Sequence, residues 1–184
     1  MTTKARYTQI LSSFCKWYGE PLGVTVRVPH KLPEYVEDKD VEALLQAIRT
    51  KCTHKRSAAR DTLIVELALH TGLRRAELAN LRVGDIHLDQ GTLVVRNGKG
   101  GKDAYLPLNA TISARLGAYI TPDMTSEQRL FGLKPASISS KIERFARKAG
   151  VDIHCHTFRH VFGTKLTQCR FVMEQGIGIE FNNA

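Results

Sequence analysis

Three short segments of this sequence place basic side chains where local structure would hold them: Thr71-Gly72-Leu73-Arg74-Arg75-Ala76-Glu77-Leu78, Gly98-Lys99-Gly100-Gly101-Lys102 and His156-Thr157-Phe158-Arg159-His160. In the first, Gly72 turns the chain and delivers Arg74 to the start of a helix, and Glu77, three residues on, shares its face and can pair with the guanidinium. The second carries Lys99 on a flexible tip. The third lies at a helix start, where free N–H groups and the helix dipole favour an anion. Basic groups held in this way suit the binding of an anion. Taken singly each segment has a plain structural reading too. Arg74 can be a surface ion pair, Lys99 a solvated turn residue outside any P-loop spacing, and His156 with Arg159 a capped, hydrated helix end.

The elements that would position these groups are mostly helical. Tyr7, Ile10, Leu11, Phe14, Trp17 and Tyr18 recur at three- and four-residue steps, which predicts an amphipathic helix over 4–19 whose aromatic face must pack on something. Pro21, Gly23, Pro29 and Pro33 make the next stretch an extended linker and a domain boundary. Asp38 can cap a helix through Val41, Leu44, Leu45 and Ile48. Ser57 precedes another through Leu63, Ile64, Leu67 and Ala68, stopped at Gly72, with a short helix from Arg74 to about Leu81. TLVVR (92–96) and DAYLPL (103–108) flank an Asn-Gly-containing turn and predict a β-hairpin. Asn109 can cap a helix to about Ile120, Ser137 opens one closed by Gly150, and a last one starts near Thr157. The fold class expected is mainly α with a small antiparallel β-hairpin or sheet (α+β).

Charge supports a polyanion partner. The chain has 184 residues, a formal charge of +9 and four scattered cysteines, which are expected to be reduced thiols. Its 42% hydrophobic and 24% charged residues exclude disordered and low-complexity classes. Basic residues cluster at 49–60 (Arg49, Lys51, Lys55, Arg56, Arg60, with no acid) and across 141–170. Such blocks displace counterions from nucleic-acid phosphates, or else form solvated helix surface. The longest apolar runs are far short of the roughly 20 residues that span a bilayer, so no membrane partner is expected. The first twenty residues lack the apolar core of a signal peptide, and a cytoplasmic location is expected.

Together the three segments resemble the tyrosine recombinase (phage integrase) family. TGLRRAELANLRVGDIHL is similar to its first arginine box, GKGGKDAYLPL to its lysine hairpin and HCHTFRHVFGTKL to its His-x-x-Arg box, in the same order, over about Val36 to Leu166. The resemblance implies a catalytic domain of the DNA breaking-rejoining type at 38–184, a linker at 21–37, and in 1–20 the last helix of an N-terminal core-binding (SAM-like) domain. It implies double-stranded DNA, and other recombinase protomers, as partners. In that family a tyrosine attacks a DNA phosphodiester, forming a 3′-phosphotyrosine and releasing a 5′-hydroxyl. Arg74 and Arg159 would clamp the phosphate, Lys99 would be the general acid, His156 would assist proton transfer or bind the phosphate, and Glu77 would support Arg74. No cofactor or metal is required.

After Leu166 the pattern departs from the family. The tail TQCRFVMEQGIGIEFNNA holds neither the further His or Trp nor the nucleophilic tyrosine that the family places there, and the last tyrosine is Tyr119. The expectation is therefore a domain cut at both ends, incomplete after about residue 166 and inactive alone. A non-catalytic DNA-binding regulator of a full-length recombinase is the alternative. A zinc-stabilised module on His154, Cys155, His156, His160 and Cys169 is a weaker one, since no paired Cys-x2-Cys accompanies them.

Overall fold

The computed structural model describes residues 3–24, 36–96 and 103–174, without the side chains of residue 5 and of 168–174. The chain divides into two units, Met1–Glu34 and Tyr35–Ala184. The first holds helix α1 (Thr3–Tyr18), as its periodicity predicts. Its apolar side chains stand exposed, Trp17 at 80%, and Phe14 stacks on Tyr18 with ring centroids 6.3 Å apart. Most of the predicted linker lies outside the described residues.

The second unit is built from helices α2 (Asp38–Lys51), α3 (Lys55–Thr71), α4 (Arg75–Asn80), α5 (Ala110–Tyr119), α6 (Pro135–Ala149) and α7 (Cys155–Glu174). α3 is the central one: α2, α5 and α7 all pack on it, while α6 lies against α2 and α4. Its faces account for this, because Leu63, Ile64, Val65, Leu67 and Ala68 are all nearly inaccessible and leave no purely polar side in its second half. Within this apolar interior Asp61, only 4% exposed, accepts from Lys141 Nζ of α6 at 3.0 Å and from Arg60 Nε at 2.9 Å. A carboxylate so enclosed is tolerated because both oxygens meet a cation.

The predicted hairpin is the main part of a three-stranded antiparallel sheet, ordered β1 (Ile86–His87), β2 (Thr92–Val95), β3 (Ala104–Pro107). Register pairs Leu93 with Leu106 and Val94 with Tyr105, which turns Leu93 and Val95 to the core and leaves Tyr105 exposed. Residues 97–102, with Lys99, lie outside the described residues. β1 escapes the sequence reading because two residues are too short to show a period, and it follows a 3-10 turn at Val83–Asp85.

Helix ends follow the expected chemistry with a few displacements. Asn109 Oδ1 accepts from the Ile112 N–H at 2.8 Å and caps α5. Gly72 and Gly150 end α3 and α6 in the left-handed conformation, with φ of 63° and 72°. α6, however, begins at Pro135 rather than Ser137, since proline is favoured in a first turn where its missing N–H costs nothing. α3 begins at Lys55, two residues before Ser57, without a side-chain cap. α7 starts at Cys155, and the Thr157 hydroxyl accepts from the His154 N–H at 3.1 Å just ahead of it.

Two predictions follow from these ends. Any side chain at Gly72 meets two penalties: the left-handed φ, and the Phe162 ring of α7 where a Cβ would sit. Gly72→Ala should therefore lose more than the ~1–2 kcal/mol of the backbone conformation alone. A double-mutant cycle with Phe162→Ala in chemical denaturation should recover only the clash; additive effects would show that the ring is not the obstacle. His70 Nε2 accepts from the Asn109 N–H at 3.2 Å, and burial lowers its pKa below the ordinary 6.5. The unfolded chain thus takes up this proton at a higher pH than the folded one, so its contribution is complete above pH 6.5 and is lost as pH falls through the lowered folded pKa. Melting temperatures measured from about pH 7.5 to 5.5 should fall more steeply for the parent than for His70→Gln; equal slopes would assign the loss to other groups.

Candidate functional site

The first and third basic segments, far apart in sequence, meet in the second unit. A cavity of about 390 Å³ is lined by Arg74 and Arg75, by His154, Cys155, His156 and Arg159, and by Ser139 and Glu143 of α6. Arg74, His156 and Arg159 are thus brought together. Glu77 stands behind Arg74, and Lys99 lies outside the described residues.

Each arm is aimed by buried neighbours. In the first segment Leu73, Leu78 and Ala79 are buried at 4% exposure or less, which leaves Arg74 and Arg75 on the open side. Glu77 then holds Arg74 twice: Oε2 accepts from its backbone N–H at 2.7 Å and Oε1 from Nη1 at 2.8 Å. One carboxylate therefore satisfies the first free N–H of α4 and orients the guanidinium, leaving its other N–H donors for a ligand. In the third segment Phe158, 1% exposed, anchors α7, and His156 and Arg159, three residues apart, share the opposite face. Fully burying a phenylalanine is worth roughly 1.5–3 kcal/mol, which helps to hold that face toward the cavity.

Arg159 is fixed differently. Its Nη1 donates to the Gly72 carbonyl at 2.7 Å, tying the third segment to the turn that ends α3. A neutral carbonyl positions the guanidinium without cancelling its charge. His156 meets His160 edge to face, with ring centroids 4.6 Å apart. His154 pairs with Asp152 at 3.1 Å.

The cavity also contains groups that the sequence reading passed over. Arg75 Nη1 donates to Ser139 Oγ at 3.2 Å, and Ser139 Oγ donates to Cys155 Sγ at 3.6 Å, so α4, α6 and the start of α7 are linked in series. Burial raises the Cys155 thiol above its ordinary value and keeps it protonated at neutral pH. Arg75 had a visible signal, being beside Arg74, whereas Ser139 and Glu143 look like ordinary exposed positions of an amphipathic helix. The structure groups no three His, Cys, Asp or Glu side chains in a way that could hold a metal ion among the described residues. No helix among them is long and apolar enough to cross a membrane.

This mainly helical unit with a three-stranded sheet and an arginine-lined cavity has clear counterparts. Residues 34–173 match the phage integrase family, and the chain belongs to that family. It is 32% identical over 162 residues to tyrosine recombinase XerA of Pyrococcus furiosus, covering 83% of this chain and 52% of that protein. To XerA of Saccharolobus solfataricus it is 34% identical over 158 residues, covering 86% and 52%. The chain thus spans about half the length of the curated relatives it matches. Its fold is shared by a crystal structure of XerA recombinase (TM-score 0.61, 23% identity, 95% of this chain and 67% of that one). A lambda integrase(75-356) dimer bound to a COC′ core site also shares it (TM-score 0.62, 16% identity, 97% and 69%).

Glu77 is the group whose removal separates position from charge. Glu77→Gln keeps the size but weakens both bonds to Arg74, since charge-assisted hydrogen bonds are about twice as strong as neutral ones. The expected result is a small loss of stability, about 1 kcal/mol, with retained affinity for inorganic phosphate and a larger loss for Arg74→Ala. Equal phosphate affinity for parent and Arg74→Ala would remove Arg74 from the binding group.

Proposed function

We propose that this chain carries the phosphodiester-binding part of a site-specific DNA recombinase, acting on double-stranded DNA in the cytoplasm. The observation that carries the reading is the convergence of Arg74, His156 and Arg159 on one cavity, with both arginines held from behind. Arg74 and Arg159 would grip the two non-bridging oxygens of the scissile phosphate. Negative charge grows on those oxygens during attack, and donors already in place stabilise it without reorganising. His156 would hold the phosphate or assist proton transfer, and Lys99 would protonate the leaving 5′ oxygen. Covalent cleavage of this kind uses a tyrosine, and none is among the described residues that line the cavity. The role proposed for these residues is therefore to bind and polarise the phosphate. The family membership, the similarity to XerA recombinases and the lambda integrase neighbour bound to its core site all support DNA as the ligand and other protomers as partners.

Binding to duplex DNA should weaken steeply with salt, because each neutralised phosphate releases counterions. Arg74→Ala and Arg159→Ala should each lower affinity by about ten-fold, equal to ~1.4 kcal/mol, and reduce the slope of log affinity against log salt by about one. Fluorescence anisotropy with a labelled duplex at several salt concentrations measures both. Affinity indifferent to salt, or two variants that bind like the parent, would sink the reading.

A further inference from the structure

A second basic feature of the unit lies elsewhere. The 49–60 cluster borders a groove of about 670 Å³ between the end of α2, the first half of α3 and α5. Its apolar lining comes from Ala58, Ala59, Leu63, Ala118 and Tyr119, and its cations are Arg49, Lys55, Arg56 and Arg115. Arg74 follows the opposite end of α3, whose 17 residues span about 25 Å. The groove is therefore not part of the arginine cavity.

The charges there are only partly cancelled inside the protein. Glu66, the only acid lining the groove among the described residues, accepts from Arg115 and lies 3.8 Å from Arg49. Lys55 and Arg56 are exposed and form no salt bridge among the described residues. They occupy the first turn of α3, which has no acidic residue and no side-chain cap to offset the dipole. An occupant must thus bring negative charge to Lys55 and Arg56, apolar groups to the alanines, Leu63 and Tyr119, and no phosphate close to Glu66. A DNA backbone meets the first requirement alone. A peptide with interspersed carboxylates and aliphatic or aromatic side chains meets all three, and its N–H groups are compatible with Glu66.

We propose that this groove docks an acidic, partly apolar segment of a partner protein, separately from the DNA. The proposal does not depend on the phosphate-binding role of Arg74 and Arg159. The test uses the full chain and a fluorescein-labelled dodecapeptide of glutamates with Leu or Phe at every third or fourth position, alongside a version with Gln for every Glu. The acidic peptide should bind saturably and about ten-fold tighter than the Gln peptide at about 0.15 M salt. Lys55→Glu combined with Arg56→Glu should erase that preference while lowering duplex DNA affinity clearly less than Arg74→Ala does. Acids in a helix's first turn are favourable, so this variant should melt no lower than the parent. Ala118→Trp, at an exposed position, fills the groove without altering charge and should weaken the acidic peptide by about ten-fold as well. Equal affinity for the two peptides, or unchanged peptide affinity in both variants, would overturn the proposal. A loss of duplex affinity in the Lys55/Arg56 variant matching that of Arg74→Ala would overturn it too, assigning the groove to DNA. If Arg74→Ala alone leaves duplex binding unchanged, the phosphate clamp fails and the groove stands.

Discussion

One contact spans the site and depends on how α3 and α7 pack: Arg159 Nη1 donates to the carbonyl of Gly72, 2.7 Å away, joining residues 87 apart in sequence. It forms because three requirements coincide at one glycine. α3 must end there, which takes a left-handed residue. Phe162 of α7 must come close, which leaves no room for a Cβ. The turned carbonyl must then be open to a guanidinium from α7. A side chain at 72 would meet the Phe162 ring of α7, which would have to give way. The distance between the two arginines is thus set by helix packing rather than by either arginine's own surroundings.

The two arginines are held by opposite chemical means. Glu77 holds Arg74 with full charge and two hydrogen bonds, and Gly72 holds Arg159 with a neutral dipole. Each arrangement leaves guanidinium donors unused, as the proposed phosphate-binding role requires. Contrast Asp61, where Arg60 and Lys141 close on both oxygens of a carboxylate inside the core and little is left to offer a ligand. The same residue types keep donors open in one place and close on a carboxylate in the other, and the difference lies in how many donors are already engaged.

Much of the local structure was legible in the sequence. The apolar spacing of α2, α3, α6 and α7, the Asn109 cap, the glycine ends at 72 and 150 and the hairpin strands follow from interactions within a few residues. The boundaries that moved are those where two local preferences competed, as at Ser137 against Pro135 and Ser57 against Lys55. β1 was missed because two residues show no period and its strand character comes from pairing with β2. In the site, Arg74, Glu77, His156 and Arg159 were readable from residue type and helix phase. Ser139 and Glu143 were not, because α6 reaches the cavity only through its packing on other helices.

By itself the sequence determined which residues carry charge, which helix face each occupies and where the chain turns, since these depend on periodicity and on glycine, proline and capping residues. Tertiary structure alone decided that Arg74 and Arg159 share a cavity, that a carbonyl rather than a carboxylate positions Arg159, and that the 49–60 cluster borders a separate groove at the other end of α3. The physical reason is that hydrogen bonds and cavities join groups whose separation in space is set by how helices pack. No local sequence pattern records that separation.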